Sequence, residues 1–295
     1  MASKIVIPEE LKRDLMDSKW GKILIATPII MTVIATALAG LASSEMTRAQ
    51  YDRSFAAQLQ SKAGDQWSYY QAKKLRGALA NDDLDLLAST SAFGPVDASV
   101  LRGAEAGTVA ALEKGELPAA TPTKLDDDVS SALTAVSSSA AESEISAEVA
   151  KVSDATLANA LSAAQQAASD FDDRTKSINQ AIDALDRKLR DGGQGVFRSF
   201  SAARLRYTAA RYDEESKLNM AVAGIYELQV RKSNQSAERH HRRSTFFFYG
   251  MLASQMGVII ATFSIASRQK NFLWSVAALA GLAAVSFSVY VYLCF

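Results

Sequence analysis

The chain has 295 residues, and its 32 Lys and Arg balance its 32 Asp and Glu, so the formal net charge is zero. Such a balance gives no electrostatic reason to expect nucleic acid or an acidic substrate. Five prolines and fifteen glycines are few for this length and favour helix, and a single cysteine, Cys294, excludes an internal disulfide.

Residues 1–22 read as an N-terminal tail carrying Lys12, Arg13, Lys19 and Lys22. Residues 23–43 carry no charge and match the ~20 residues that cross a bilayer core. Pro28 lies near the start of this run, where a missing N–H disturbs few helical bonds. A secretory signal peptide is the competing reading. The apolar run is long for a signal core, and Ser43-Ser44-Glu45 lacks a clear small-x-small cleavage pattern, so the run reads as a first membrane span.

Residues 44–244 read as one helical extramembrane domain. Tyr51, Phe55, Leu59, Ala63, Trp67 and Tyr70 recur at spacings of three and four, Leu75 and Leu79 extend the stripe, and Asn81-Asp82-Asp83 marks its expected end. Residues 84–125 contain Gly94-Pro95, Gly103, Gly107, Gly115, Pro118 and Pro122, and read as an irregular tip with a short helix near residues 100–114.

Residues 126–190 carry the clearest pattern. Leu157, Leu161, Ala164, Ala168, Phe171, Thr175, Ile178, Ile182, Leu185 and Leu189 alternate steps of four and three, which is a coiled-coil heptad seam. Val129, Leu133, Val136 and Ala140 form an earlier run, and Ile145, Val149 and Val152 another, with phase slips near Ser143 and Asp154. Breaks are expected there, with Ser153-Asp154 capping a fresh helix. The Asp126-Asp127-Asp128 run suits a helix N-terminus better than a metal site. Asp191-Gly192-Gly193-Gln194-Gly195 reads as a reversal. Residues 196–244 then restart the rhythm through Val196, Phe200, Ala203, Tyr207 and Ala210, falter at Glu214, and resume through Leu218, Ala221, Ile225 and Leu228 as a stalk helix.

Residues 245–267 and 272–295 form two further apolar blocks, separated only by Arg268, Gln269, Lys270 and Asn271, so a tight antiparallel hairpin of two spans is expected. Small residues recur every fourth position at Ala35 and Ala39, Thr36 and Gly40, Ala253, Gly257 and Ala261, and Ala277 and Gly281, a spacing that lets helices approach closely in lipid. Gln255 is the one strongly polar side chain within the three spans and is expected to bond a neighbouring helix. No Asp, Glu, Lys, Arg or His lies inside them, which disfavours an ion or proton pathway. Lys12, Arg13, Lys19, Lys22, Arg268 and Lys270 share one side of the membrane, while Arg239, Arg242 and Arg243 precede the second span on the other. The first helix usually sets topology, so the helical domain is expected outside the cytoplasm.

No Gly-rich phosphate loop, GxSxG, CxxC or HExxH occurs, so no enzymatic activity, catalytic residue, cofactor or metal is expected. His240 and His241 are adjacent and point about 100° apart on a helix, which does not favour a shared metal. With Arg239, Arg242 and Arg243 they are expected at lipid headgroups. Two clusters mix aromatic and basic residues: residues 65–76, and Arg198, Arg204, Arg206 and Arg211 among Phe197, Phe200 and Tyr207. Stacking on a ligand or nucleic acid is one reading of them. The plainer one places Trp67 and Tyr70 in a core and leaves Lys73, Lys74 and Arg76 solvated.

The segment DQWSYYQAKKLRG at residues 65–77 resembles an uncharacterised bacterial membrane-protein family, a domain of unknown function with a DQWAYYQAK-type segment after an N-terminal span. The positions that carry it are Asp65, Gln66, Trp67, Tyr69, Tyr70, Gln71 and Lys73, with Ser68 at the small position. The resemblance extends through the first span and to residues 212–295, and it implies a bacterial inner-membrane location without assigning an activity. The expectation is therefore an all-α membrane protein, with three transmembrane helices and a long coiled-coil-like bundle. It is expected to act as a scaffold that self-associates through Leu157, Leu161, Ala164, Ala168, Phe171, Ile178, Ile182, Leu185 and Leu189 and through Ala253, Gly257 and Ala261. An accessory subunit of a larger membrane complex is the alternative, and a channel or sensor a third reading.

Overall fold

The computed structural model describes residues 19–120, 124–190, 193–266 and 270–294. Lys12, Arg13, Pro122, Asp191, Gly192, Arg268 and Gln269 lie outside the described residues. The described residues are helical, without strands: α1 Lys19–Thr90, α2 Ala106–Lys114, α3 Asp127–Ser137, α4 Glu142–Lys151, α5 Asp154–Leu189, α6 Gln194–Ala266 and α7 Lys270–Cys294. Three of them, α1, α6 and α7, are long and apolar enough to cross a membrane. The chain divides into two units, one of Met1–Ser54 with Ser233–Phe295, the other of Phe55–Lys232.

The first unit holds the three apolar segments. Along α1, Leu24, Met31, Ala35, Leu38, Ala42 and Ala49 are buried, at steps that are multiples or members of a four–three alternation. Leu38 and Ala42 pack with Phe247 of α6 and Ala284 and Val291 of α7, and Ser244, Ser254, Ala261 and Ala277 are buried as well. Hydrogen bonds between side chain and backbone tie the helices where no water would compete. Ser254 Oγ donates to the Met31 carbonyl at 2.7 Å, and Ser244 Oγ to the Ala42 carbonyl at 2.7 Å. Trp274 Nε1 donates to Thr27 Oγ1 at 3.1 Å, and its ring stands edge-on to Trp20 with centroids 5.6 Å apart.

Of the small pairs, Ala35, Gly257, Ala261, Ala277 and Gly281 are buried and Ala39 and Ala253 half-buried, whereas Thr36 and Gly40 face outward. The tip of Met31 enters the slot between Gly257 and Gly281. A Cβ on Gly257 would overlap Met31 Cε and stand 3.3 Å from the Ala277 carbonyl; one on Gly281 would stand 2.8 Å from Met31 Sδ. Gln255 points away from this packing: it is exposed and has no hydrogen-bond partner among the described residues. Its neighbour Ser254 makes the interhelical bond instead.

The second unit packs α2–α5 with the remaining lengths of α1 and α6. Two apolar cores form. One joins Leu59 and Ala63 of α1, Val129 and Ala132 of α3, Ile145 and Val149 of α4, Leu157 and Ala164 of α5, and Val222, Ile225 and Leu228 of α6. The other joins Leu101, Ala111 and Leu112 with Ile178 and Ile182 of α5 and Phe200, Ala203 and Tyr207 of α6.

The helix breaks fall close to the sequence phase slips. Ser139 takes a positive φ of 54° after α3, while Ala140 N–H bonds the Ala135 carbonyl and Ser139 N–H the Val136 carbonyl, closing that helix with a Schellman motif. Between α4 and α5, Val152 is extended and buried, and the Ser153 hydroxyl accepts from Thr156 N–H at 3.0 Å as the cap of α5. Lys232 of α6 donates to the Val152 carbonyl, supplying a donor to a backbone group that the break leaves without a helical partner. Asp126 caps α3 by accepting from Asp128 N–H at 3.1 Å, the helix-start role expected of the triple-aspartate run.

Three boundaries depart from the sequence reading. Helix α1 passes through Asn81-Asp82-Asp83 and ends at Thr90, because Ala80, Leu84 and Leu87 continue its buried face and tertiary packing outweighs weak helix formers. The short helix begins at Ala106 rather than near residue 100, and Gly115 closes it at φ 67°. Helix α6 starts at Gln194 and runs without interruption to Ala266, so stalk and second span are one element.

The packing around Met31 yields a direct expectation. Gly257→Leu destabilises the full chain by about 1–3 kcal/mol through overpacking, while Gly40→Leu, with nothing within 4 Å of its added Cβ, stays close to wild type. Thermal unfolding followed by circular dichroism in mild detergent checks this, and equal losses at both sites would contradict the packing.

Candidate functional site

A strict four–three phase organises α1 in the second unit. Ala56, Leu59, Ala63, Gly77 and Ala80 are buried, Gln66, Tyr70, Lys73, Leu84 and Leu87 half-buried, and these ten positions form one alternating series. The series differs from the stripe read from the sequence. Steps of four advance roughly 40° beyond a full turn each time, so Tyr51, Phe55, Leu59, Ala63 and Trp67 spiral around the helix. Only an average step of 3.5 keeps residues on a partner. Accordingly Tyr51 is 70% and Phe55 45% exposed, and Leu75 and Leu79 lie on the opposite face at 62% and 53%.

The true seam admits a charge in mid-course. Gly77 is buried one turn beyond Lys73, and a Cβ there would lie 3.5 Å from Tyr212 Cβ and 3.6 Å from the Ala209 carbonyl. That close approach of α1 to α6 brings Lys73 Nζ to Glu215 Oε2, to which it donates. Glu215 is 5% exposed, and Arg211 Nε stands 3.3 Å from its other oxygen. The Tyr212 ring lies among cations, with Arg211 Cζ 4.6 Å, Lys73 Nζ 5.4 Å and Arg76 Cζ 6.0 Å from its centre. Asn219 Nδ2 donates to the Glu215 carbonyl at 2.7 Å.

This layer separates the two apolar cores: on α6 it lies between Tyr207 and Val222, and the α5 residues beside it, Ala168 and Asp172, fall between Ala164 and Ile178. A cleft of about 280 Å³ opens beside it, lined by Gln66, Tyr69, Lys73, Asp172, Glu215 and Asn219 among others. Toward solvent, Asp213 receives Lys217 at 2.9 Å and Lys74 at 3.2 Å. The hydrogen bond from Lys217, followed by that from Lys74, holds its carboxyl below the usual range. Tyr207 donates to Asn179 Oδ1 at 3.3 Å, and burial pushes its phenol up to about 12. Farther along α5, buried Asp186 is gripped by Arg204 at 2.8 Å and Arg190 at 3.0 Å.

The sequence-derived residues divide among these settings. Gln66, Tyr70 and Lys73 lie on the α1 seam, Trp67 packs edge-on against Tyr70 with centroids 5.5 Å apart, and Asp65, Tyr69 and Gln71 are exposed. Lys74 and Arg76 are exposed as the plain reading expects, whereas Lys73 is drawn inward by Glu215. Leu157, Ala164, Phe171, Ile178 and Ile182 are buried within the chain itself, and Leu161, Ala168, Leu185 and Leu189 are half-buried beside Ala160, Ala167 and Asp186. Arg239 and Arg242 are exposed, Arg242 pairing with Glu238 at 3.0 Å, and Arg243 is half-buried. His240 turns instead to Glu45 of α1, its Nδ1 2.6 Å from the carboxylate.

The sequence reading missed Arg211 and Glu215 as partners of Lys73. The available signal was the falter at Glu214, which marks a charged turn inside an otherwise apolar rhythm.

These features define an all-helical protein with three helices fit to span a membrane and a polar layer inside its helical unit. Residues 24–116 match the family model described as a domain of unknown function (DUF4337). The matched segment takes in the first apolar segment, residues 65–77 and α2; the resemblance read at residues 212–295 lies beyond it. No curated protein and no solved structure matches the chain.

Removing one member of a buried ionic cluster strands the others, a loss of about 3–5 kcal/mol, whereas exposed pairs contribute ~1 kcal/mol or less. Glu215→Ala, which leaves Lys73 and Arg211 facing each other, therefore lowers the thermal midpoint far more than Lys74→Ala. Similar small shifts for both variants would show that the layer is solvated.

Proposed function

We propose that the protein is a membrane-anchored helical scaffold that self-associates in the bilayer. The observation that carries this reading is the seam of α1, whose buried positions keep one four–three phase from Gly21 to Ala80. A candidate membrane span thus continues, in the same helix and the same register, into the helical unit. Such an element suits holding and positioning, and the Lys73–Glu215–Arg211 layer adds register specificity, since a charge at a seam position is satisfied in one alignment only.

The heptad residues of α5 are spent largely inside the chain, so self-association is assigned to the outer faces of the membrane segments. Arg239, Arg242 and Arg243 fit a headgroup-contacting role beside them. In mild detergent or lipid nanodiscs the purified chain has a native mass of two or more copies; a strictly monomeric particle removes this function.

A specific surface favours a second reading, an accessory subunit of a larger membrane complex. On α1, Leu75, Leu79 and Leu86 are 62%, 53% and 62% exposed and lie along one face. A docked partner of another kind would bury them. Recovery of a stoichiometric foreign protein from native membranes supports that reading over the first.

For location we infer the bacterial inner membrane, with the helical unit on the periplasmic side, from the basic residues flanking the first span and the uncharacterised-family resemblance. In a Cys294→Ser background, the exposed Ser162→Cys variant is expected to react with a membrane-impermeant maleimide in cells whose outer membrane is permeabilised. Labelling only after lysis of the inner membrane reverses the orientation.

A further inference from the structure

The candidate span of α6 has two faces. Ser244, Phe247, Gly250, Ser254, Gly257, Ala261 and Ser264 are buried in the first unit. On the other side, Phe248, Leu252, Gln255, Ile259 and Thr262 follow steps of four, three, four and three and are exposed. Phe248 is 46%, Leu252 41% and Ile259 50% exposed, so this is a second helix seam, complete in spacing and uncovered by the chain.

Gln255 sits at its centre and near the midpoint of the apolar block. A carboxamide there is too deep to reach headgroup water, and leaving its donors and acceptor unpaired in hydrocarbon is costly. Nearby hydroxyls are satisfied: Ser254 bonds the Met31 carbonyl, and Thr262 bonds the Val258 carbonyl at 2.8 Å. Gln255 bonds none of the described residues.

We propose that Gln255 is the centre of a two-fold interface in which a second copy of this chain lays the same α6 face against this one. The carboxamide is self-complementary, since its N–H₂ donates and its C=O accepts, so two Gln255 side chains satisfy each other across a two-fold axis. A four–three seam places each remaining residue near its own equivalent, with Phe248, Leu252 and Ile259 closing around the polar pair. The inference rests on the self-associating scaffold reading and names its contact.

The test uses the full chain in lipid vesicles, with association followed by energy transfer between labelled copies as the protein is diluted in lipid. Gln255→Leu is expected to weaken association roughly tenfold, while Gln255→Asn, which keeps the amide, retains most of it. In a Cys294→Ser background, Gln255→Cys is expected to form a homodimeric disulfide on mild oxidation, and Ala261→Cys, on the buried face, is not. Helix content and melting of Gln255→Leu should match wild type, because the side chain touches no core. Wild-type association unchanged by Gln255→Leu overturns this interface and leaves the scaffold reading in place. A wild-type chain that stays monomeric at every density overturns both. Capture of a different protein by the Gln255→Cys variant in native membranes overturns the second copy as the occupant.

Discussion

Register on α1 is the constraint on which the rest of the structure depends. A straight helix drifts against a partner unless contacts recur every 3.5 residues on average. The buried positions of α1 obey that rule from Gly21 to Ala80, and most are small: Ala35, Ala42, Ala49, Ala56, Ala63, Gly77 and Ala80. Small side chains bury little apolar area, so each contributes little at ~25 cal/mol per Å². What they permit is proximity, which sets the interhelical hydrogen bonds of Ser244 and Ser254 and the reach of Lys73 to Glu215. Bulky seam residues would hold the helices apart and leave those polar groups stranded.

The ionic layer between the two apolar cores follows from this closeness. Large residues on α5 and α6, such as Phe171, Phe200 and Tyr207, are fully buried, and Phe200 and Tyr207 pack with Ile178 and Ile182 in the second core. A hydrophobic seam alone tolerates sliding by a heptad, since one apolar residue resembles the next. Lys73, Arg211 and Glu215 remove that freedom, because a shifted helix would place a carboxylate against alkyl side chains. Lys232 and Ser153 do comparable work at the α4–α5 break, where the chain changes direction without exposing Val152.

Much of this was legible in the sequence, and the failures have physical causes. Uncharged blocks of membrane-crossing length announce the spans, and the run from Leu157 to Ile182 is apolar enough for its period to show directly. The breaks before α4 and α5 were visible as phase slips because each helix restarts its own count. On α1 the seam was hidden, since Asp52, Gln66, Lys73 and Gly77 occupy seam positions while Tyr51, Phe55, Leu75 and Leu79 lie outside it. Hydrophobicity therefore pointed to the wrong face. The acceptor of Lys73 lies 142 residues away on α6, and no local pattern connects the two. Asp186 was similarly obscured by Leu185 and Leu189, whose apolarity suggested a uniform stripe.

The methionine between Gly257 and Gly281 has a consequence for how the membrane segments can change. Three helices share one void there: α1 supplies the volume and α6 and α7 supply only backbone hydrogens to receive it. An unbranched, flexible thioether can thread such a slot, whereas a β-branched chain widens too close to its own backbone. Positions 31, 257 and 281 thus behave as a single jointly occupied site. The energetic effect of substituting any one depends on the occupants of the other two, and their separate effects do not sum.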